Sequence, residues 1–95
     1  MRLNTTQIRK LLKNWHFYKA STLNAESERL KIAVENIERF VSALNDIDRK
    51  IIQARFFDRA EVDIVAKMVH MSRRAVYYRI EGIVNEMAFC LDFVG

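Results

Sequence analysis

The stretch VDIVAKMVHMSRRAVYYRI, residues 62–80, decides the fold of this chain. Its apolar residues follow two successive helical patterns. Val65 and Ala66 belong to the first helix, Val69 and Met71 flank the turn, and Val76 and Ile80 form the inward face of the second helix. Ser72 stands between the two patterns, where its side chain can cap the second helix. The stretch therefore predicts two helices joined by a tight turn, a helix-turn-helix motif.

The second of these helices leaves a polar and aromatic face outside the core. Arg73, Arg74, Tyr77 and Tyr78 lie between its apolar positions. A helix that buries one side and offers arginines and tyrosines on the other suits the major groove of DNA. For Tyr78 the spacing allows burial in the core as an equal alternative.

Positive charge is concentrated in two zones of the sequence. The formal net charge is +4, and residues 1–24 and 67–80 contain basic residues but no acidic ones. Residues 25–48 are acidic on balance, and the last fifteen residues contain three acids and no base. Two basic zones fit a polyanionic partner such as DNA or RNA. Solvated outer faces of helices are the simpler explanation of the same charges.

The composition predicts an all-α fold. The chain has 95 residues, half of them hydrophobic, which is enough for one small folded domain. It contains no proline and only two glycines, whereas the tight turns of β-rich folds usually need these residues. Because the segments between turns have helical spacing, we expect about five helices.

Residues 1–44 are expected to form an N-terminal helical hairpin. Asn4 is placed to cap a first helix that reaches Lys19, with Gln7 reaching back, and Trp15 is its core or interface anchor. The basic side of this helix is either a solvated face or a second contact surface for the DNA backbone. A second helix follows over residues 24–44, and its heptad seam consists of Leu30, Val34, Ile37, Val41 and Leu44. We expect the seam to pack against the first helix, and a homodimer through the seam is the alternative.

Residues 45–95 are expected to carry the helix-turn-helix and to form one compact domain with the first half. Asn45 or Asp46 caps a helix whose inward residues are Ile47, Ile51, Ile52 and Phe56, and residues 57–60 form a loop. The two helices of the motif then cover residues 61–69 and 72–93. Gly82 should destabilise the last helix by about 1 kcal/mol relative to alanine. A glycine at this position also predicts that another helix approaches closely. Cys90 is expected to be buried.

Several classes of function lack their sequence signals. There is no GxGxxG, P-loop, HExxH or cysteine pair, and His16 and His70 stand apart from other ligand-type residues. We therefore expect no catalytic residues, no metal and no cofactor, and we do not expect an enzyme. Cys90 is the only cysteine, and no apolar run approaches the roughly 20 residues of a membrane span. A cytoplasmic protein that does not enter membranes is expected.

From Ile47 onward the chain resembles region 4 of the sigma-70 family. The resemblance rests on IDRKIIQARFF, residues 47–57, and on VDIVAKMVHMSRRAVYYRI after a loop. The wider arrangement is similar to the RinA- and ArpU-type transcriptional regulators of phages and prophages of Gram-positive bacteria. Ser72, Tyr77, Tyr78 and Arg79 stand at the matching places. His70 departs from the pattern, because the turn usually has a glycine there in the left-handed conformation. Arg79 matches the ending of the RinA- and ArpU-type proteins, but it departs from the general helix-turn-helix pattern, because many such motifs have an aliphatic residue at that place.

This resemblance implies a sequence-specific DNA-binding regulator, a late-gene activator that acts with RNA polymerase in the cytoplasm of a bacterial host. It implies that Ser72 caps the recognition helix and donates to a phosphate. Base contacts then fall to Arg73, Arg74, Tyr77 and Tyr78. Phosphate contacts, which position the protein without specifying sequence, fall to Lys67 and Arg79.

Two other functions stay open at the level of sequence. The first is a phage DNA-packaging factor similar to a small terminase subunit, which would assemble into large rings, whereas a regulator would be a monomer or dimer. The second is a protein-interaction module in which the tyrosines dock a partner on a helix-turn-helix scaffold. Binding by such a module would respond weakly to salt, whereas DNA binding falls steeply as salt rises.

Overall fold

The computed structural model describes residues 4–23 and 28–90 and confirms the predicted all-α class. Over these residues it has no strand, and it has six α-helices and a π-helical turn rather than about five helices. The α-helices are α1 (Thr5–Lys13), α2 (Trp15–Leu23), α3 (Glu28–Ser42), α4 (Asp46–Ile52), α5 (Val62–Val69) and α6 (Arg73–Cys90), and the π-helical turn is Gln53–Phe57. The predicted start of the second helix at residue 24 and end of the last at residue 93 lie outside the described residues.

The predicted first helix is two helices, because the chain leaves helical geometry at Asn14. Its start agrees with the sequence: the Asn4 side chain accepts from the N–H of Gln7 at 2.8 Å, and the Gln7 side chain accepts from the N–H of Asn4 at 2.9 Å. At Asn14 the backbone has φ −112° and ψ 32°, and the side-chain amide donates to the carbonyl of Lys10 at 3.0 Å. Asparagine commonly competes with helical hydrogen bonding in this way.

This break sends the two halves to different partners. α1 packs against α6, and α2 packs against α3. The predicted hairpin of one long helix against the next is therefore wrong in detail, since only α2 and α3 form it. Trp15 is buried, as expected, and its ring stacks on Phe57 with the centroids 4.6 Å apart.

Helix α6 lies against most of the core. Its buried residues Val76, Ile80, Ile83, Val84 and Met87 face α1, α4 and α5. They belong to one hydrophobic cluster, which runs from Ile8 in α1 to Met87 in α6. The outer side of α6 is thereby held in a fixed position relative to the other helices.

The heptad seam of α3 is used inside the chain. Val34, Ile37 and Val41 are each at most 2% exposed, and Leu30 and Leu44 are partly buried against the same core. These residues cover the interior, as one of the two sequence interpretations predicts. They are not free to form a dimer seam.

Three smaller predictions are wrong. Ile47 is 44% exposed because the neighbouring Asp48 takes the inward position on α4. Cys90 is exposed because the buried face of α6 ends at Met87. A Cβ built at Gly82 meets nothing within 4 Å, so this glycine does not serve a close helix approach within the described chain.

Candidate nucleic-acid interface

A connection of three residues joins α5 to α6, and hydrogen bonds fix its shape. His70 has φ 55° and ψ 44°, the left-handed conformation that its place in the motif predicts. Its N–H donates to the carbonyl of Lys67, and the N–H of Met71 donates to the carbonyl of Ala66 at 3.0 Å. This pair of bonds is the Schellman arrangement, in which a left-handed residue ends a helix. Histidine replaces the usual glycine here and tolerates the conformation better than a β-branched residue would.

Ser72 caps α6, as predicted. Its Oγ accepts from the N–H of Ala75 at 3.1 Å, and its carbonyl accepts from the N–H of Val76 at 3.0 Å. The cap satisfies one of the backbone donors that a helix start leaves unpaired. It also fixes the direction of the first turn of α6, from which the two arginines project.

All seven residues that the sequence selected lie exposed on α5, on α6 or in the connection between them. They are Lys67, Ser72, Arg73, Arg74, Tyr77, Tyr78 and Arg79. Tyr78 is 81% exposed, so the alternative that buried it is wrong. Beside it, a shallow concave surface is lined by Met71, Ser72, Arg74, Ala75, Tyr78 and Arg79.

Two of the arginines are engaged with acidic side chains. Arg73 Nε lies 3.7 Å from Asp63 Oδ1, and its guanidinium lies 6.0 Å from the centroid of the Tyr77 ring. Hydrogen bonding to Tyr77 and the nearby charge of Asp63 raise the pKa of Arg73, which stays a cation throughout the accessible pH range. Arg79 Nη1 lies 3.0 Å from Oδ1 of Asp48, a mostly buried carboxylate. Arg79 thus ties α6 to the start of α4.

Arg74 and Lys67 differ from these two arginines. Neither side chain has a hydrogen bond or ion pair with any residue of the described chain, and both are exposed. A cation without an internal partner keeps its donors available for an external acceptor. Arg74 also lies next to Tyr78 on the concave surface, so a planar donor and an aromatic ring face solvent together.

The sequence did not single out Arg55, although this residue borders the candidate interface. Arg55 lies in the π-helical turn and lines two concave surfaces that both include Tyr77. Nothing in the local pattern marks it, because its position beside α6 arises from packing between distant segments. The basic side of α1 was the available signal, and Lys13 does line one of these surfaces.

The remaining described surface has no metal cluster and no membrane segment. No group of three or more His, Cys, Asp or Glu side chains is placed to hold a metal ion among the described residues. No helix in that part of the chain is long and apolar enough to cross a membrane. Comparisons with models of protein families, with curated proteins and with solved structures found no match for this chain.

Proposed function

We propose that this protein is a sequence-specific regulator of transcription that binds double-stranded DNA through the first turns of α6. The observation that carries the proposal is that Arg74 and Tyr78 lie exposed on the same concave surface of a capped and firmly packed helix. The surrounding segment, residues 67–80, contains four basic residues and no acidic one. The resemblance to RinA- and ArpU-type regulators adds late-gene activation with RNA polymerase, inside a bacterial host cell.

The ion pairs suggest which basic residues contact bases, which contact phosphates and which contact other residues of the chain. Arg74 has no internal partner, so it is the residue we expect to read a base edge, with Tyr78 beside it. Lys67 and Ser72 are the residues we expect to contact phosphates, which position a protein on the duplex. Arg79 is hydrogen-bonded to Asp48 and so joins α6 to α4, whereas Arg73 forms a longer, exposed ion pair with Asp63. Both arginines also add positive charge.

The testing experiment measures binding to random-sequence DNA and to host-phage promoter DNA at two salt concentrations. We expect binding by the wild type to weaken steeply as salt rises. The double variant Arg73→Ala/Arg74→Ala should lose this binding. Arg74→Ala should weaken binding more than Arg73→Ala does. The expected loss of binding free energy on a preferred site is about 1–3 kcal/mol, the range for one arginine–guanine contact.

Lys31→Ala is the matched control, since it removes one exposed positive charge from α3. It should bind DNA as the wild type does. Absence of wild-type binding at low salt would overturn the proposal. An equal loss in Lys31→Ala and Arg74→Ala would show that net charge, not the α6 surface, governs binding.

A protein-interaction module is the second candidate, and one observation favours it. Ile64 and Met68 are 51% and 52% exposed one turn apart on α5, next to the interface residue Lys67. Exposed apolar side chains of this kind suit a protein partner. A complex with a protein that tolerates high salt and needs Tyr78 would favour this function. Assembly into a large ring would favour DNA packaging.

A further inference from the structure

We infer that Lys13, Arg55 and Arg59 form a second anion site, which binds a phosphate of the nucleic-acid backbone. This inference rests on the proposed function for the source of the phosphate, but the site itself follows from its own geometry. The three side chains line one concave surface together with Phe56. They come from the last turn of α1, from the π-helical turn and from the segment after it.

No acidic side chain lines this surface. Lys13 and Arg59 have no ion pair within the described residues, whereas the neighbouring Arg9 is paired with Glu81. Cations that converge without a carboxylate repel one another, and a bound anion relieves this repulsion. The arrangement therefore suits an anion and disfavours a metal ion or a basic partner.

The backbone around Arg59 holds the site in shape. Arg59 has φ 59°, so it is a non-glycine residue in the left-handed region. The segment is fastened on both sides, since the N–H groups of Asp58 and Ala60 donate to the carbonyls of Gln53 and Ala54, each at 2.8 Å. Strained conformations that the surrounding structure maintains are common at binding sites.

Arg55 is the member whose side chain is tied to the neighbouring backbone. Its Nη1 donates to the carbonyl of Ala60 at 3.2 Å, and its guanidinium lies 6.0 Å from the centroid of the Phe56 ring. The guanidinium thus has one internal acceptor, and Arg55 is also among the residues that line the concave surface. Lys13 and Arg59 supply the charges that have no internal acceptor, so these two are the residues to substitute.

The anion site is continuous with the outer face of α6. Arg55 also lines the concave surface that contains Arg73 and Tyr77, and Lys13 lines the one that contains Tyr77 and Ile80. These two surfaces, unlike the anion site, also include the carboxylates Glu61, Asp63 and Glu81, of which Asp63 is paired with Arg73 and Glu81 with Arg9. A helix in a DNA groove has a phosphate strand on each side. Lys13 and Tyr77 line the same concave surface. If α6 entered the groove, the anion site would therefore face one of these phosphate strands.

The test combines DNA binding with a probe that does not depend on DNA. The variant is Lys13→Gln/Arg59→Gly, because glutamine keeps the helix and glycine accepts the left-handed conformation. The salt dependence of duplex binding is measured, and inorganic phosphate is titrated into 15N-labelled protein by NMR. Lys31→Gln is the control for removal of a positive charge elsewhere on the surface.

We expect the variant to bind duplex DNA about tenfold more weakly, with a log–log salt slope smaller by about 0.9 for each phosphate that the protein no longer neutralises. Preference for one DNA sequence over another should not change. Phosphate should shift the signals of Arg55, Arg59 and Ala60 in the wild type and in Lys31→Gln, but the variant should show no such shifts near the site.

The two hypotheses fail in different ways. If the wild type binds DNA but shows no phosphate response, and the variant has an unchanged salt slope, the anion site is overturned and the proposed function stands. Specific phosphate shifts without any DNA binding would support the anion site and overturn the proposed function. A loss of sequence preference in the variant would also overturn the inference, since phosphate binding carries no sequence information.

Discussion

The hydroxyl of Ser72 serves the fold and faces the proposed partner at once. We expect Ser72→Ala to lower the free energy of unfolding by about 1 kcal/mol, because the N–H of Ala75 loses its acceptor. Ser72→Asp should keep the stability, since aspartate caps well and its charge suits a helix N-terminus. The same substitution should weaken DNA binding, because it places a carboxylate beside Arg74. Urea denaturation and DNA binding measure the two effects separately.

Ser42→Ala is the control for this residue. The Ser42 hydroxyl donates to the carbonyl of Glu38 within α3 and caps no helix start, so its loss should be nearly neutral. Equal destabilisation by Ser42→Ala and Ser72→Ala would argue against the cap. Wild-type DNA affinity in Ser72→Asp would place Ser72 outside the interface.

Single residues whose roles depend on near neighbours were predictable. Asn4 and Ser72 cap their helices as the sequence indicates, and Asn45 is the one of the two candidates, Asn45 and Asp46, that caps α4. The left-handed His70 follows from its place after α5. The ion pair of Arg79 with Asp48 was not predictable, because it joins residues 31 positions apart. The sequence alone therefore gave no sign that Arg73 and Arg79, unlike Arg74, form ion pairs with acidic side chains of the same chain.

At the scale of the element, α6 is a long helix weakened at one exposed point. We expect Gly82→Ala to raise the free energy of unfolding by about 0.5–1 kcal/mol, because alanine loses less backbone entropy on folding. Nothing in the described chain lies within 4 Å of the added Cβ, so no clash offsets the gain. Thermal or urea unfolding measures the change. Destabilisation instead would indicate that another chain packs against Gly82.

The boundaries of the other elements show where periodicity stops being informative. The apolar spacing of Leu11, Leu12 and Trp15 continues through Asn14, so the pattern reads as one helix although the chain bends there. The π-helical turn was likewise hidden, since Phe56 fits the inward spacing of α4 while the backbone has already changed its hydrogen bonding. Existence and type of the helices were predictable, but these breaks depend on which distant surfaces each piece must cover.

At the scale of the whole molecule, the buried seam of α3 bears on assembly. We expect a monomer of 11.2 kDa in solution, because Val34, Ile37 and Val41 are already covered within one chain. Sedimentation equilibrium over a range of concentrations measures the mass. A dimer that persists at low concentration would contradict this expectation and would need a surface other than the seam. Assembly into a large ring would favour the DNA-packaging function over the proposed regulator.

The candidate site depends on the whole molecule more than its motif suggests. The residues of α5 and α6 were found from one contiguous stretch, because a helix and its cap are local features. Lys13, Arg55 and Arg59 were not grouped by the sequence, since α1 and the segment after α4 meet only in the folded chain. Lys13 belongs to the basic zone of residues 1–24, but nothing in the sequence indicates that it lies near Arg59.

The packing of α1 on α6 also sets the order in which the protein can form. Arg9 and Glu81, which join the two helices, are 72 positions apart in the chain. During synthesis α1 therefore leaves the ribosome before α6 is made, and Ile8 and Leu12 then lack the cover that α6 provides. Contacts between such distant segments slow folding relative to bundles whose neighbouring helices pair in sequence. The chain thus acquires its final structure late, and a nascent chain that stops before α6 keeps an apolar helix open to chaperones or to aggregation.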